Sequence, residues 1–158
     1  LDLPVNFVNA PMLAAQRGVE IEQITTARAG DFAHGLEVRI ETPGGRRQAA
    51  GTVIGSGLPR VISLQDYEME MDPRGHILLV FNYDQPGVVG KIGSILGGRG
   101  VNIADMVLSR KEAEGKALMG VHLDSAPPED ALAEIRGLDY VNEVRSFCLP
   151  EPEDVRLD

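Results

Sequence analysis

The spacing of apolar and polar residues changes along the chain and predicts an α+β protein. Over residues 6–17, Phe7, Ala10 and Leu13 recur at helical spacing, so we expect a helix that begins near Asn9 or Ala10 and carries Pro11 in its first turn. Further on, apolar and polar residues alternate, which is typical of half-buried strands. The strands predicted in this half are residues 19–24, 36–42, 46–54, 61–64 and 67–71. Because most of the connections are short, we expect an antiparallel meander with one or two helices.

The second half of the chain follows the order βαββαβ. Strands are predicted at residues 77–83, 101–110, 116–124 and 141–149, with helices that start at Pro86 and at Pro127. The apolar stripe of the first helix, which should face the core, consists of Val88, Val89, Ile92, Ile95 and Leu96. This order gives a ferredoxin-like sandwich, a four-stranded antiparallel sheet with both helices on one face. The helix-free face in this class is often buried by a partner, so we expect a dimer.

Proline and glycine residues divide the chain into two predicted domains and a tail. Pro73, Arg74 and Gly75 form a hinge, so residues 1–74 are predicted to be a partial first domain and residues 75–149 a complete second one. Residues 150–158 are acidic and are expected to be mobile. The chain starts at Leu1 and not at Met, so we interpret it as a piece of a longer protein.

Composition excludes several classes of partner. The formal net charge of −9 is spread along the chain, and no segment has the basic excess that nucleic-acid binding requires. No apolar run approaches the roughly 20 residues of a membrane span. The single cysteine, Cys148, excludes an internal disulfide, and we expect it to be a buried thiol. With no signal peptide recognisable, these features predict a cytoplasmic protein.

Polar residues gather around the first helix of the second domain. Asn82 lies near the end of one predicted strand, Asp84 follows that strand, and Asn102 lies at the start of the next. We therefore expect all three at one end of the unit, around exposed helix N–H groups. A small polar ligand such as an amino acid suits that chemistry. Asp, Pro and Gly in these positions are also ordinary helix boundary residues, so both interpretations stay open here.

The same residues predict no catalytic centre. His34, His76 and His122 lack the spacing of a metal site. His76 and His122 fall in predicted strands. The glycines of GVVGKIGSILGGRG lie inside and after a helix, whereas a dinucleotide fingerprint precedes one. We therefore expect no catalytic residue, no metal and no cofactor in these 158 residues.

Two stretches resemble one known family. NYDQPGVVGKIGSILGGRGVNIADM, residues 82–106, resembles the opening of an ACT domain, and most closely that of D-3-phosphoglycerate dehydrogenase, whose feedback ligand is L-serine. NFVNAPMLAAQRGVEI, residues 6–21, resembles the allosteric-substrate-binding domain of the longer form of that enzyme. The resemblance implies a regulatory region that senses L-serine and self-associates through the ACT domain. It also implies that NAD and the catalytic domains, which oxidise 3-phosphoglycerate in serine biosynthesis, belong to the missing part.

The resemblance assigns roles to particular residues. In serine-responsive ACT domains the ligand lies between two copies, which implies that Asn82 and Asp84 contact it from one copy and Asn102 from the facing copy. Asp84 would accept from the ligand ammonium. The carboxylate would be held at the helix start by the N–H groups of Gly87, Val88 and Val89. This sequence departs from relatives that have His or Tyr at position 82 and Asn at position 84, so the identity of the ligand is an open question.

A second site is implied in the first domain, where related proteins use basic side chains to bind a phosphorylated substrate or another anion. Arg60 matches one such position, and another falls on Asp72, so the site needs Arg74 as a substitute.

Two alternatives from other classes remain. The chain is also similar to the regulatory or beta portion of an iron–sulfur L-serine dehydratase. A third interpretation is an ACT dimerisation module that has no ligand.

Overall fold

The computed structural model describes residues 5–6, 8–25, 35–55, 57–111 and 115–150. The predictions for Phe7, His34, most of the loop at 28–35 and the tail from 151 onwards lie outside these residues. The elements, in chain order, are α1 Ala10–Gln16, β1 Leu36–Thr42, β2 Gly45–Ile54, β3 Leu58–Leu64, β4 Tyr67–Met71, β5 Gly75–Tyr83, α2 Val88–Gly97, β6 Ile103–Arg110, β7 Lys116–Leu123, α3 Glu129–Arg136 and β8 Val141–Leu149.

The first four strands form the predicted antiparallel meander, in the order β1-β2-β3-β4. The turn between β1 and β2 needs a glycine, because Gly45 has φ of +112°. The pattern of β1 predicted a half-buried strand, but all seven of its residues are exposed, because the described part of the chain covers β1 little beyond its pairing with β2. α1 begins at Ala10 with Pro11 in its first turn, as predicted, and has no buried residue.

The second sheet has the order β6-β7-β5-β8, with every pair antiparallel. Counted from β5, this is the ferredoxin-like arrangement of a βαββαβ unit, and the predicted α+β class is confirmed. Alternate residues of β5 and β7 face the two helices. The core on that side includes Leu78, Val80, Met119 and Val121 from the strands, with Ile92, Leu96 and Ile135 from the helices.

The opposite face of this sheet, which the sequence left to a partner, is covered in part by the chain itself. Tyr67, Met69 and Met71 of β4 are at most 8% exposed, because they pack against β5, β6 and β7. Gly120 allows this approach, since a Cβ there would lie 2.9 Å from the Met71 Sδ atom. The chain itself thus covers part of the face that was assigned to a partner, and the dimer stays a prediction. The boundary predicted at residue 75 stays a prediction, because β4 and the second sheet share a core.

Four further local predictions are wrong. Residues 19–24 alternate like a strand but form none, because no described strand offers hydrogen bonds to their backbone. The helix starts at Val88, two residues later than predicted, and Val89 is 42% exposed because its position turns away from the sheet. Cys148 is exposed, because it lies near the end of β8, on the same face as Val144 but outside the helix-side core.

Candidate functional site

The loop from β5 to α2 makes the helix entrance. Gly87 is the N-cap residue and has φ of +91°, a conformation that glycine adopts without strain. No described side chain caps the helix, and its first turn contains no acidic residue. The first N–H groups of an α-helix have no carbonyl partner inside the helix. The entrance therefore presents unpaired donors and a partial positive charge to whatever lies in front of it.

Asn82 is the second-last residue of β5 and is buried, with 1% of its surface exposed. Its Nδ2 atom donates to the Tyr83 carbonyl over 2.8 Å, whereas its Oδ1 atom has no hydrogen-bond partner among the described residues. A buried acceptor without a partner costs about 1–3 kcal/mol of stability. An unpartnered buried amide oxygen in a strand therefore indicates a binding role, because a donor group of a ligand would supply the missing hydrogen bond.

Asp84 is held at the helix entrance by two contacts. Its N–H donates to the Gly115 carbonyl over 2.8 Å, and its Oδ2 atom accepts from the Arg110 Nη1 atom over 3.0 Å. Arg110 was not among the predicted site residues. The strand register is the signal that points to Arg110. Arg110, Ala117 and Asn82 form one row across the adjacent strands β6, β7 and β5.

Asn102 lies at the opposite end of the sheet. It precedes Ile103, which is in register with Leu123, and Leu123 is in register with His76 at the start of β5. β5 and β6 are parallel, so the start of β6 is remote from the end of β5 where Asn82 lies. The expectation that Asn82, Asp84 and Asn102 meet at one end of a single chain is therefore wrong.

Asn102 is exposed in the single chain, and its Nδ2 atom donates to the Asp124 Oδ2 atom over 2.7 Å. The structure thus brings together Asn82, Asp84 and the residues of the helix entrance, which are Gly87, Val88 and Val89, and it separates Asn102 from them.

The arginines of the second candidate site converge on a carboxylate of the chain itself. The Arg74 Nε atom donates to the Asp72 Oδ1 atom over 2.6 Å, and the Arg60 Nη1 atom lies 3.4 Å from Oδ2. The hydrogen bond from Arg74 lowers the pKa of the Asp72 carboxyl, burial opposes this, and the charges of Arg74 and Arg60 add to the lowering. Asp72 thus already occupies the position at which an external anion would be held.

Two cavities lie away from the helix entrance. One of about 490 Å³ is lined mainly by β1, β2 and β3, and a smaller one of about 240 Å³ is lined by residues of both sheets, among them Val38 and Phe81. His76 and His122 lie in β5 and β7, as predicted. Within the described ranges, no three His, Cys, Asp or Glu side chains are placed to hold a metal ion. No described helix has both the length and the apolar character that a membrane span needs.

The fold of the second half defines its class, since residues 76–139 match the ACT domain family. Residues 2–65 match the family described as the D-3-phosphoglycerate dehydrogenase intervening domain. The first match contains most of the first sheet, and the second match contains most of the second sheet. With them, the chain matches, in order, the two domains of the C-terminal regulatory region of proteins named D-3-phosphoglycerate dehydrogenase.

Individual relatives carry the same name. The chain is 34% identical over 131 residues to D-3-phosphoglycerate dehydrogenase of a Synechocystis species, a match that covers 83% of this chain and 24% of the relative. It is 31% identical to the Archaeoglobus fulgidus enzyme over 87% of this chain and 26% of that one. The chain therefore spans about a quarter of the length of these relatives. Their names favour the dehydrogenase interpretation over the iron–sulfur dehydratase.

Proposed function

We propose that this regulatory region binds L-serine, or another small amino acid, as a feedback effector between two copies of its ACT domain. The observation that carries the proposal is the buried, unpartnered Oδ1 atom of Asn82 next to the uncapped start of α2. Asp84 supplies the negative charge that an ammonium group requires.

The charges of the entrance match a zwitterion. The ammonium group would donate to the Asp84 carboxylate and to the Asn82 Oδ1 atom. The ligand carboxylate would lie in front of α2 and accept from the N–H groups of Gly87, Val88 and Val89, where the helix dipole favours negative charge. A hydroxyl group on the ligand side chain adds one donor and one acceptor, which suits serine.

The edge of the sheet supports a role for a second copy. In the described part of the chain β6 has β7 as its single neighbour, so its outer edge has free N–H and C=O groups. A two-fold axis perpendicular to the sheet would pair β6 with the β6 of a second copy in antiparallel orientation. That pairing moves Asn102 of the second copy towards Arg110, the end of the sheet where Asp84 lies.

Apolar residues on the same side support this interface. Val89 at the start of α2 is 42% exposed and Leu108 on β6 is 43% exposed. Burial of such side chains favours association. A ligand held between the two copies would stabilise this dimer. It can regulate a longer protein only if it binds the paired arrangement of the ACT domains with a different affinity from the unpaired one.

Calorimetric titration of L-serine tests the site. We expect Asn102→Ala to weaken binding about tenfold, as the loss of one hydrogen bond to a charged ligand predicts. Asn142→Ala is the matched control, because Asn142 is an exposed asparagine of β8 at the other edge of the sheet. Equal affinities of wild type and Asn102→Ala would defeat the assignment. Failure of all amino acids to bind would favour the dimerisation module without a ligand.

For the longer protein we propose the activity that the relatives' name describes, oxidation of 3-phosphoglycerate with NAD in the cytoplasm, with L-serine as the inhibitor. NAD and substrate would bind domains that this chain does not contain. Assay of the longer protein with and without L-serine tests this proposal: Asp84→Ala should leave the uninhibited rate unchanged and abolish inhibition. Inhibition that persists in this variant would contradict the proposed route of regulation.

A further inference from the structure

We infer that Arg110 is a ligand-contacting residue of this site and holds the α-carboxylate of the amino acid. The inference rests on the proposed function and adds a residue to it. Arg110 is the last residue of β6 and lies in register with Ala117, which lies in register with Asn82. Residues in register share one face of a sheet, so the three side chains are on the helix side of the same row.

The middle member of this row is small. Ala117 is fully buried and has no atoms beyond Cβ, so Asn82 and Arg110 stand on either side of a short side chain. Their strands are separated by one intervening strand, roughly 10 Å between backbones. The chain itself covers Ala117, so a zwitterion would bind at the exposed end of this row, where Arg110 meets Asp84 close to the start of α2.

The Arg110–Asp84 pair has unused hydrogen-bonding capacity. A guanidinium has five N–H donors and usually binds a carboxylate through two of them. Here the described contact is single, from Nη1 to Oδ2 over 3.0 Å, and the Asp84 Oδ1 atom has no described partner. The ammonium and carboxylate of an α-amino acid are separated by one carbon atom. Such a ligand could join the pair, with its ammonium on Asp84 and its carboxylate on the free nitrogens of Arg110.

The solvent exposure of the Arg110–Asp84 ion pair indicates that dimer formation would strengthen it. The Arg110 side chain is 59% exposed and that of Asp84 is 20% exposed. A second copy paired through β6 would cover Arg110, because Arg110 ends that edge strand. Removal of water strengthens charge pairs, so Arg110 would recognise the ligand most strongly when the dimer is formed.

The test is titration of L-serine and of L-serinamide, which lacks the carboxylate, into the whole chain. We expect Arg110→Gln to weaken L-serine about tenfold or more and to leave L-serinamide unchanged, so the preference for the carboxylate falls by the same factor. Arg110→Lys should recover part of that preference. Arg145→Gln is the matched control, because Arg145 forms a similar exposed pair with Glu143 on β8.

The outcomes separate the two proposals. If Arg110→Gln weakens both ligands equally, Arg110 acts only by positioning Asp84 and the inference is wrong. An unchanged affinity for L-serine overturns it as well. If Asn102→Ala weakens L-serine and Arg110→Gln does not, the proposed function stands without this residue. A wild-type chain that binds no amino acid overturns both.

Discussion

A valine in place of Gly120 tests the contact between the two sheets. Gly120 is buried in β7, and a Cβ atom built there lies 2.9 Å from Met71 Sδ, 3.1 Å from Val107 Cγ1 and 3.5 Å from Met69 Cε. Side-chain Cβ atoms in proteins do not approach as closely as the first of these distances, so the Met71 side chain or the strands around it must shift.

The magnitude follows from these distances. Excess atoms in a packed core cost about 1–3 kcal/mol, and removal of a glycine from a strand returns roughly 0.5–1 kcal/mol of backbone entropy. Gly120→Ala should therefore destabilise the chain by about 1 kcal/mol, because the thioether of Met71 can shift. Gly120→Val adds two more carbons and should cost about 3 kcal/mol, since β4 must then partly leave the sheet.

Urea unfolding followed by circular dichroism measures both effects. Met71→Ala in the Gly120→Val background should recover about 1 kcal/mol or more relative to the sum of the single changes, because it removes the contacting atom. Gly93→Ala in α2 is the control: a Cβ there meets nothing within 4 Å, so this change should stabilise the chain by up to about 1 kcal/mol. If Gly120→Val is neutral, or if the two changes are additive, β4 does not pack against Gly120 and the description of this core is wrong.

Three other predictions concern the two candidate sites. Gly87→Ala should destabilise the chain by about 1 kcal/mol in urea because of the positive φ, and it should weaken L-serine; a gain in stability would contradict the left-handed N-cap. Asn82→Val should keep stability within about 1 kcal/mol while abolishing L-serine binding, because it removes the unpartnered oxygen; undiminished binding would exclude Asn82 from the site. Asp72 has a lowered pKa in the folded chain, so its contribution to stability is present above the ordinary value of 3.8 and is lost as pH falls through the lowered value. The stability difference between wild type and Asp72→Asn should therefore shrink as pH falls below about 4; a difference independent of pH would refute the pairing with Arg74.

Much of the fold follows from the sequence, because local patterns and turn residues determine it. The βαββαβ order, the four-stranded meander and the positions of its turns are all visible as changes of periodicity. The strand predicted at residues 19–24 failed because alternation reports that a segment can pair, and not that a partner exists. The exposure of β1 and Cys148 depends on which elements cover them, and no local pattern contains that information.

The site was predicted only in part, for a similar reason. Asn82, Asp84 and the helix entrance are adjacent in the chain, so their proximity follows from one strand, one turn and one helix. Asn102 is separated from them by the length of α2, and the parallel direction of β5 and β6 carries it to the far end of the sheet. Arg110 reaches the site through strand register, which the sequence does not state directly.

The ACT module is proposed to hold an amino acid between two copies, and a crystal structure of the chain grown with L-serine tests this most directly. We expect serine in contact with Asp84 and Arg110 of one copy and with Asn102 of a second copy, with the β6 edges paired. Serine bound in the cavity of the first sheet, or a fully occupied helix entrance without a second copy beside β6, would contradict the account.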